Sequence, residues 1–355
     1  MKSVILFICF LFSCSCIFAE EYLLEGMIGN YPVVLRLTVD EGKAAATYFY
    51  KSRTDDIELN GDFLNKTVRL STVDSSESMT LIYGSNNEWA GKWVNNEGNT
   101  LFILLMPANL NTVTHPFARL PCVKEFKKNE PYEYLRSACL KLQNDKAIRQ
   151  EGSYKIQGYH LKNSDLQAVR ILGSEGKVAA GRINTVLLDN FISDICYSKA
   201  CISEDTQKSY GYSFSYYIKG NVLSAYVALS LSCKGAMRMG YSDRTFNYDL
   251  KTGKKLNIDD MLHFPGIKDD NEQRGNKIQA LLTRLYPTKM VNADYCDYTD
   301  TIAWQQTDWR LTEHGLLLMP YFVRADLPCW DPDWPVISFD LLKKYRNPNK
   351  KVLLP

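Results

Sequence analysis

Between Val291 and Pro335 the chain gathers the residues best suited to recognition. Four of its six tryptophans lie there: Trp304, Trp309, Trp330 and Trp334. Eight carboxylates (Asp294, Asp297, Asp300, Asp308, Glu313, Asp326, Asp331 and Asp333) face two guanidinium groups, Arg310 and Arg324. That is a local balance of −6 in a chain whose total is +2. The densest part is Cys329-Trp330-Asp331-Pro332-Asp333-Trp334-Pro335, two indoles and two carboxylates among rigid prolines. Indoles on a stiff loop lose little entropy on binding, and flanking carboxylates steer a cationic partner. Tryptophan and aspartate together also suit sugar rings. Trp304, Trp330, Asp331, Asp333 and Trp334 are the candidate binding residues. Trp309 lies in an alternating segment and reads as core. Calcium between Asp331 and Asp333 is disfavoured, because too few oxygen ligands are grouped.

Catalytic signatures are sparse. The four histidines, His115, His160, His263 and His314, are far apart, and no H-E-x-x-H occurs. There is no G-x-S-x-G, no phosphate loop and no G-x-G-x-x-G. The one S-x-x-K, Ser174-Glu175-Gly176-Lys177, lacks the S-D-N and K-T-G partners of that chemistry and reads as a hairpin turn. The cysteine spacings do not suit zinc, since C-x-x-C is absent and Cys196-x₄-Cys201 has no second pair. The expectation is a binding protein rather than an enzyme, with no metal or cofactor. Near-balanced charge, 42 Lys+Arg against 40 Asp+Glu, gives no global field to recruit nucleic acid.

The N-terminus sets the address. Lys2, the apolar run Val4–Phe12, small residues Ser13–Cys16 and then Ala19 before Glu20-Glu21 have the layout of a secretory signal peptide. Cleavage after Ala19 gives a periplasmic or secreted product. The rival is lipidation at Cys14, disfavoured by Phe12 where a lipobox usually has a small residue. No later segment has the roughly 20 apolar residues that spanning takes. Seven cysteines follow Ala19, and an oxidising compartment allows disulfides. Proximity pairs Cys122 with Cys139, Cys196 with Cys201 and Cys296 with Cys329, leaving Cys233 as a buried thiol.

The elements that must position these residues fall into two domains. Over 20–116, short alternating runs such as Tyr31–Val39 and Met79–Tyr83 recur every 8–12 residues or so, with Gly, Asn and Asp between them. That pattern predicts an all-β antiparallel sandwich or barrel, preferably a meander closed on itself. Residues 107–152 hold Pro107, Pro116, Pro121 and Pro131 and a basic run (Lys124-Glu125-Phe126-Lys127-Lys128), and 117–152 read as a linker with a helix over Pro131 to about Arg149. Residues 153–355 predict an α+β domain: an antiparallel sheet with helices on one side. Its helices cover the stripe Ile183, Leu187, Phe191, Ile195 and the segment Asn271–Tyr286. Its strands cover Tyr210–Lys219, Val222–Ser232, Thr245–Leu250, Trp309–Thr312 and Leu316–Val323, and Val336–Leu342 closes the domain.

Within that domain, Thr245-Phe246-Asn247-Tyr248-Asp249-Leu250-Lys251-Thr252-Gly253-Lys254-Lys255-Leu256-Asn257-Ile258-Asp259-Asp260-Met261-Leu262 resembles the signature of RsiV-type C-terminal domains. These occur in lysozyme-sensing anti-sigma factors and in an exported peptidoglycan deacetylase. The resemblance covers about 153–345, through a helix, two long strands, the signature, a helix and a strand at Leu311-Thr312-x-x-Gly315. It departs at Lys234-Gly235-Ala236-Met237, where relatives often carry Gly-Gly-Ala-His. Gly26-x-Ile28-Gly29, Tyr48-x-Tyr50 and Ile57-x-Leu59-x-Gly61 are similar to a β-module of exported bacterial proteins. Physically, Asp249 is placed to cap the turn that Gly253 permits, and Asp259 and Asp260 to open a short helix.

The resemblance implies a cationic, cell-wall-directed protein partner such as a lysozyme, and hence an envelope binding protein acting as inhibitor or immunity protein. The alternatives are a glycan-binding module, or an accessory or catalytic component of a peptidoglycan-modifying enzyme. The sensor role of the anti-sigma factors is set aside, because only a few residues precede the apolar run.

Overall fold

The computed structural model describes residues 19–173, 177–201, 210–233, 237–267, 270–291, 296–322 and 329–345. The signal segment up to Phe18, with Cys14, lies outside the described residues. So do Ser174–Gly176 of the S-x-x-K motif and Lys234–Ala236 of the step before the signature. The chain divides into two compact units, 1–118 with 124–139, and 119–123 with 140–355.

The first unit is an eight-stranded antiparallel barrel: β1 (Glu20–Ile28), β2 (Tyr31–Asp40), β3 (Lys43–Tyr50), β4 (Ile57–Leu64), β5 (Thr67–Ser71), β6 (Glu77–Tyr83), β7 (Trp89–Asn95) and β8 (Thr100–Pro107). Each strand pairs with the next, and β1 closes on β8 with Leu24 opposite Pro107 and Ile28 opposite Ile103. The closed meander read from the sequence is thus the observed form. Alternation fills the interior: Val33, Leu35, Leu37 and Val39 point in along β2, with Leu24, Tyr48, Leu81 and Trp89 among their neighbours. Two-residue turns set the register. Glu41-Gly42 and Asn65-Lys66 all have positive φ, the twist that matches two antiparallel strands. Gly91 lets β6 and β7 close up, since a Cβ there would sit 1.8 Å from the Thr80 carbonyl oxygen.

Two short helices follow, α1 (Pro121–Asn129) and α2 (Pro131–Ala138). The helix expected to reach Arg149 therefore ends at Ala138, and the rest of that segment is a strand. Helix α2 belongs to the barrel unit rather than to a linker, because its inner face covers the outside of the barrel. The Tyr132 ring meets Phe49 edge-on at 5.2 Å, and Arg136 is fully buried. The Arg136 guanidinium takes both oxygens of Asp56 at 2.6 Å and Glu133 at 2.8 Å, donates to the Thr54 carbonyl, and lies 4.9 Å from the Phe49 ring centroid. Tyr132 donates its hydroxyl to Asp56 at 2.8 Å. In the basic run, Phe126 is buried while Lys124, Lys127 and Lys128 are exposed.

The second unit holds three separate three-stranded antiparallel sheets where the sequence predicted one. The first is β9 (Leu142–Glu151), β10 (Tyr154–Leu161) and β11 (Gln167–Ile171). The second is β12 (Tyr210–Lys219), β13 (Val222–Leu231) and β14 (Gly240–Asp249). The third is β15 (Asp308–Thr312), β16 (Gly315–Met319) and β17 (Val336–Ser338). The long helix α3 (Lys177–Ala200) carries the expected stripe, with Ile183, Leu187, Phe191 and Ile195 all buried. It packs with Leu223, Ala225 and Val227 of β13 and with Ile156 and Ile171. Asn184 mimics a strand at the β11 edge, accepting from the Ile171 N–H at 2.8 Å and donating to its carbonyl at 2.9 Å.

The other core is built by α4 (Ile258–Met261), α5 (Asn271–Leu285), α6 (Pro287–Val291), α7 (Ile302–Gln305) and α8 (Phe339–Leu342) with β15 and β16. Central strand β13 is buried over Val222–Val227, with Leu223, Ala225 and Val227 in the α3 core and Val222 in this one. No described helix is long and apolar enough to cross a membrane.

Candidate functional site

The Thr245–Leu262 segment does the structural work its residue types predict. Asp249 accepts from the Lys251 N–H at 3.0 Å and the Thr252 hydroxyl at 2.7 Å, and Gly253 takes φ +69° to complete the turn. Asn257 and Asp260 form a reciprocal capping box on α4, and Asp259 pairs with Arg274 at 3.0 Å.

The same segment builds one wall of a polar seam between the second and third sheets. Along β14, alternation puts Asp243, Thr245 and Asn247 on one face, and β13 adds Ser224 and Tyr226. Strand β15 docks on that face through side chains. Ser224 accepts from the Leu311 N–H at 2.8 Å and donates to Asn247 at 2.6 Å. Asn247 donates to the Trp309 carbonyl at 2.7 Å, and Thr245 donates to Asp308 at 2.6 Å. Ser224 and Asn247 are each 2% exposed, so these bonds replace water that the seam excludes.

Two different surfaces border the seam. One is a cleft of about 580 Å³ lined by Thr245, Asn247, Lys255–Ile258, Asn271, Arg274 and Gln305–Trp309. At the other, Arg310 lies 4.0 Å from the centroid of the Tyr226 ring and holds Asp331 at 2.9 and 3.2 Å. Tyr226 also donates to Asp331 at 3.0 Å. Burial, then the Asp331 charge, pushes the Tyr226 hydroxyl far above its ordinary range. Burial and the same charge raise the Asp243 carboxyl, against the pull of Tyr226 and Arg310.

The five candidate residues separate here. Trp304 is fully buried and donates its indole N–H to the Tyr298 carbonyl at 2.8 Å, so it is core and not a binding residue. Trp334 packs on the same core, 5.5 Å from Tyr286 and 5.1 Å from Tyr298. Trp309 is core, as alternation predicts. Trp330 is only partly buried and stacks on Tyr321 with ring centroids 5.8 Å apart at 26°. Asp331 and Asp333 flank it and are exposed, Asp331 already carrying the Arg310 pair.

The disulfides are Cys201–Cys233 and Cys296–Cys329. The second pairing is the one proximity gives; the first corrects Cys196–Cys201 and removes Cys233 from the thiols. Cys196 sits inside α3 and Cys201 just past its end. Five helical residues rise about 7.5 Å, beyond the roughly 7 Å a disulfide tolerates. Cys122 and Cys139 are not bonded to each other: the Cys122 thiol donates to the Asp189 carbonyl at 3.3 Å, and Cys139 closes α2. Cys122, Cys139 and Cys196 carry thiols.

Among the described residues no group of three or more His, Cys, Asp or Glu could hold a metal ion. His115 has a framework role: its Nδ1 accepts from the Phe117 N–H at 3.0 Å, which leaves Nε2 to donate to the Tyr134 carbonyl at 3.2 Å.

Sequence reasoning missed Tyr226, Asp243 and the cleft residues Asn257, Asn271, Gln305 and Gln306. The one signal was the Thr245–Leu262 segment, which lines the cleft from Thr245 to Ile258. No protein-family model matches the chain, and no curated protein matches it.

Proposed function

We propose that this chain is an exported bacterial envelope protein that binds a basic, cell-wall-directed protein such as a lysozyme, as inhibitor or immunity protein. The observation that carries the reading is the Tyr321–Trp330 stack, partly exposed beside the exposed carboxylates Asp331 and Asp333. A stacked aromatic pair is a rigid anchor, and acidic flanks complement a basic partner. Two disulfides fit an oxidising compartment. The choice of a lysozyme-like partner rests on the resemblance of Thr245–Leu262 to the RsiV-type signature. The proposed binding face is narrower than the five candidates read from the sequence, with Trp330, Asp331, Asp333 and Tyr321 as its centre.

Titration of a purified basic lysozyme into the chain tests this. Trp330→Ala is expected to cost about 2 kcal/mol or more of binding. Asp333→Asn is expected to slow association, with an effect that shrinks at high salt. No binding, or a Trp330→Ala variant that melts while affinity per folded molecule is unchanged, overturns the assignment.

A further inference from the structure

The cleft beside the seam has a chemistry of its own, independent of the proposed function. Besides Asn247 in its floor, four carboxamides reach it from three separate places: Asn257 before α4, Asn271 at the start of α5, and Gln305 and Gln306 at the end of α7. Among the described residues the Gln305 and Gln306 carboxamides have no hydrogen-bond partner, and neither has the Asn257 amide NH₂. The oxygens of Asn257 and Asn271 are held, the first by the Asp260 N–H at 3.0 Å and the second by Arg274. The floor is satisfied and rigid, because Asn247 is locked by Ser224 and the Trp309 carbonyl.

The net charge of the lining is small. Arg274 pairs with Asp259, and the Asp308 carboxylate, held by the Thr245 hydroxyl and by the Trp309 N–H at 2.8 Å, is balanced in count by Lys255. Lys255 is the one lining cation without an ion pair among the described residues. Position is fixed as well. A Cβ on Gly275 would lie 2.9–3.1 Å from Gln305, so the bare glycine lets α7 seat against α5 and sets where the glutamines stand.

We infer that this cleft is a saccharide-binding site that takes an uncharged sugar chain by its hydroxyl groups. A hydroxyl both donates and accepts, and a carboxamide offers a donor and an acceptor in one plane, so unpartnered carboxamides around a fixed floor match neighbouring sugar hydroxyls. Leu256, Ile258 and Trp309 back the cleft as members of the hydrophobic core, so the carboxamides at its rim carry the recognition. The volume of about 580 Å³ lies in the range of small-ligand clefts. A highly charged ligand finds no complement here.

The probes are three neutral tetrasaccharides, of N-acetylglucosamine, cellobiose-type and maltose-type linkage. Each is titrated calorimetrically into the full chain. At least one is expected to saturate with Kd of about 1 mM or tighter, insensitive to salt. Gln305→Ala/Gln306→Ala is expected to weaken it about tenfold, with an unchanged circular-dichroism spectrum. Gln306→Ala alone, at an exposed position, is expected to weaken it several-fold and covers the case in which the double variant fails to fold. Binding by none of the three up to about 10 mM overturns the inference. So does sugar binding that the folded variants leave unchanged. A capped trialanine that binds with the same dependence on Gln305 and Gln306, while the sugars do not, overturns it in favour of a peptide site. Neither result bears on the lysozyme titration, which reads Trp330 and Asp333, residues outside the cleft lining.

Discussion

Replacing Arg136 by methionine tests how the barrel unit is held to its helix. The guanidinium is fully buried, and its two acidic partners are nearly so, Asp56 with a side chain 4% exposed and Glu133 12%. Arg136→Met keeps much of the apolar stem over Phe49 but strands two carboxylates without a cation. Removing one partner of a buried ion pair costs about 3–5 kcal/mol. With a urea dependence of about 2 kcal/mol per molar, the barrel transition falls by about 1.5–2.5 M. Hydrogen exchange across a urea series, read on peptides from β2 and β3, isolates that transition from the second unit.

The pH dependence gives the sharper check. Burial raises the Asp56 and Glu133 carboxyls above their ordinary range, and the Arg136 charge opposes the rise. A carboxyl raised in the folded state favours folding at low pH, and that advantage is lost as pH climbs through its folded value. Without Arg136 both carboxyls rise further. The variant's deficit is therefore greatest near neutrality and shrinks as pH falls towards the ordinary carboxylate value of about 4. Replacing all three (Asp56→Leu, Glu133→Leu, Arg136→Met) is expected to recover most of the loss, since a well-packed apolar set needs no counter-charge. A single variant that unfolds at the wild-type urea concentration, or a deficit equal at both pH values, refutes the argument.

Alkylation of denatured, unreduced protein, followed by peptide mapping, is expected to label Cys122, Cys139 and Cys196 and to find Cys201 linked to Cys233; a Cys196–Cys201 peptide would refute the helix-geometry argument. Asn247→Leu is expected to destabilise the second unit by about 2 kcal/mol or more, because it leaves the Trp309 carbonyl and the Ser224 hydroxyl buried with lost partners. Calorimetric melting of the variant checks this, and an unchanged transition would mean that water enters the seam.

Local chemistry was enough to read the barrel. The β2 alternation and the turn at Glu41-Gly42 specify strand, face and register within a few residues of each other. The α3 stripe, the α5 helix, the β12–β13 hairpin and the Asp249–Gly253 turn were legible for the same reason. Strand β9 was not. Its interior is exposed from Gln143 to Gln150, so no alternation marks it, and it is a strand because β10 pairs with it. Tertiary structure alone decided that Trp304 and Trp334 pack in the core, that Cys201 meets Cys233, and that Ser224, Asn247, Trp309 and Asp331 share one seam. Those residues span more than a hundred positions of chain. What joins them is the docking of β15 on the second sheet, a packing outcome that periodicity, which reports only the nearest turns, does not encode.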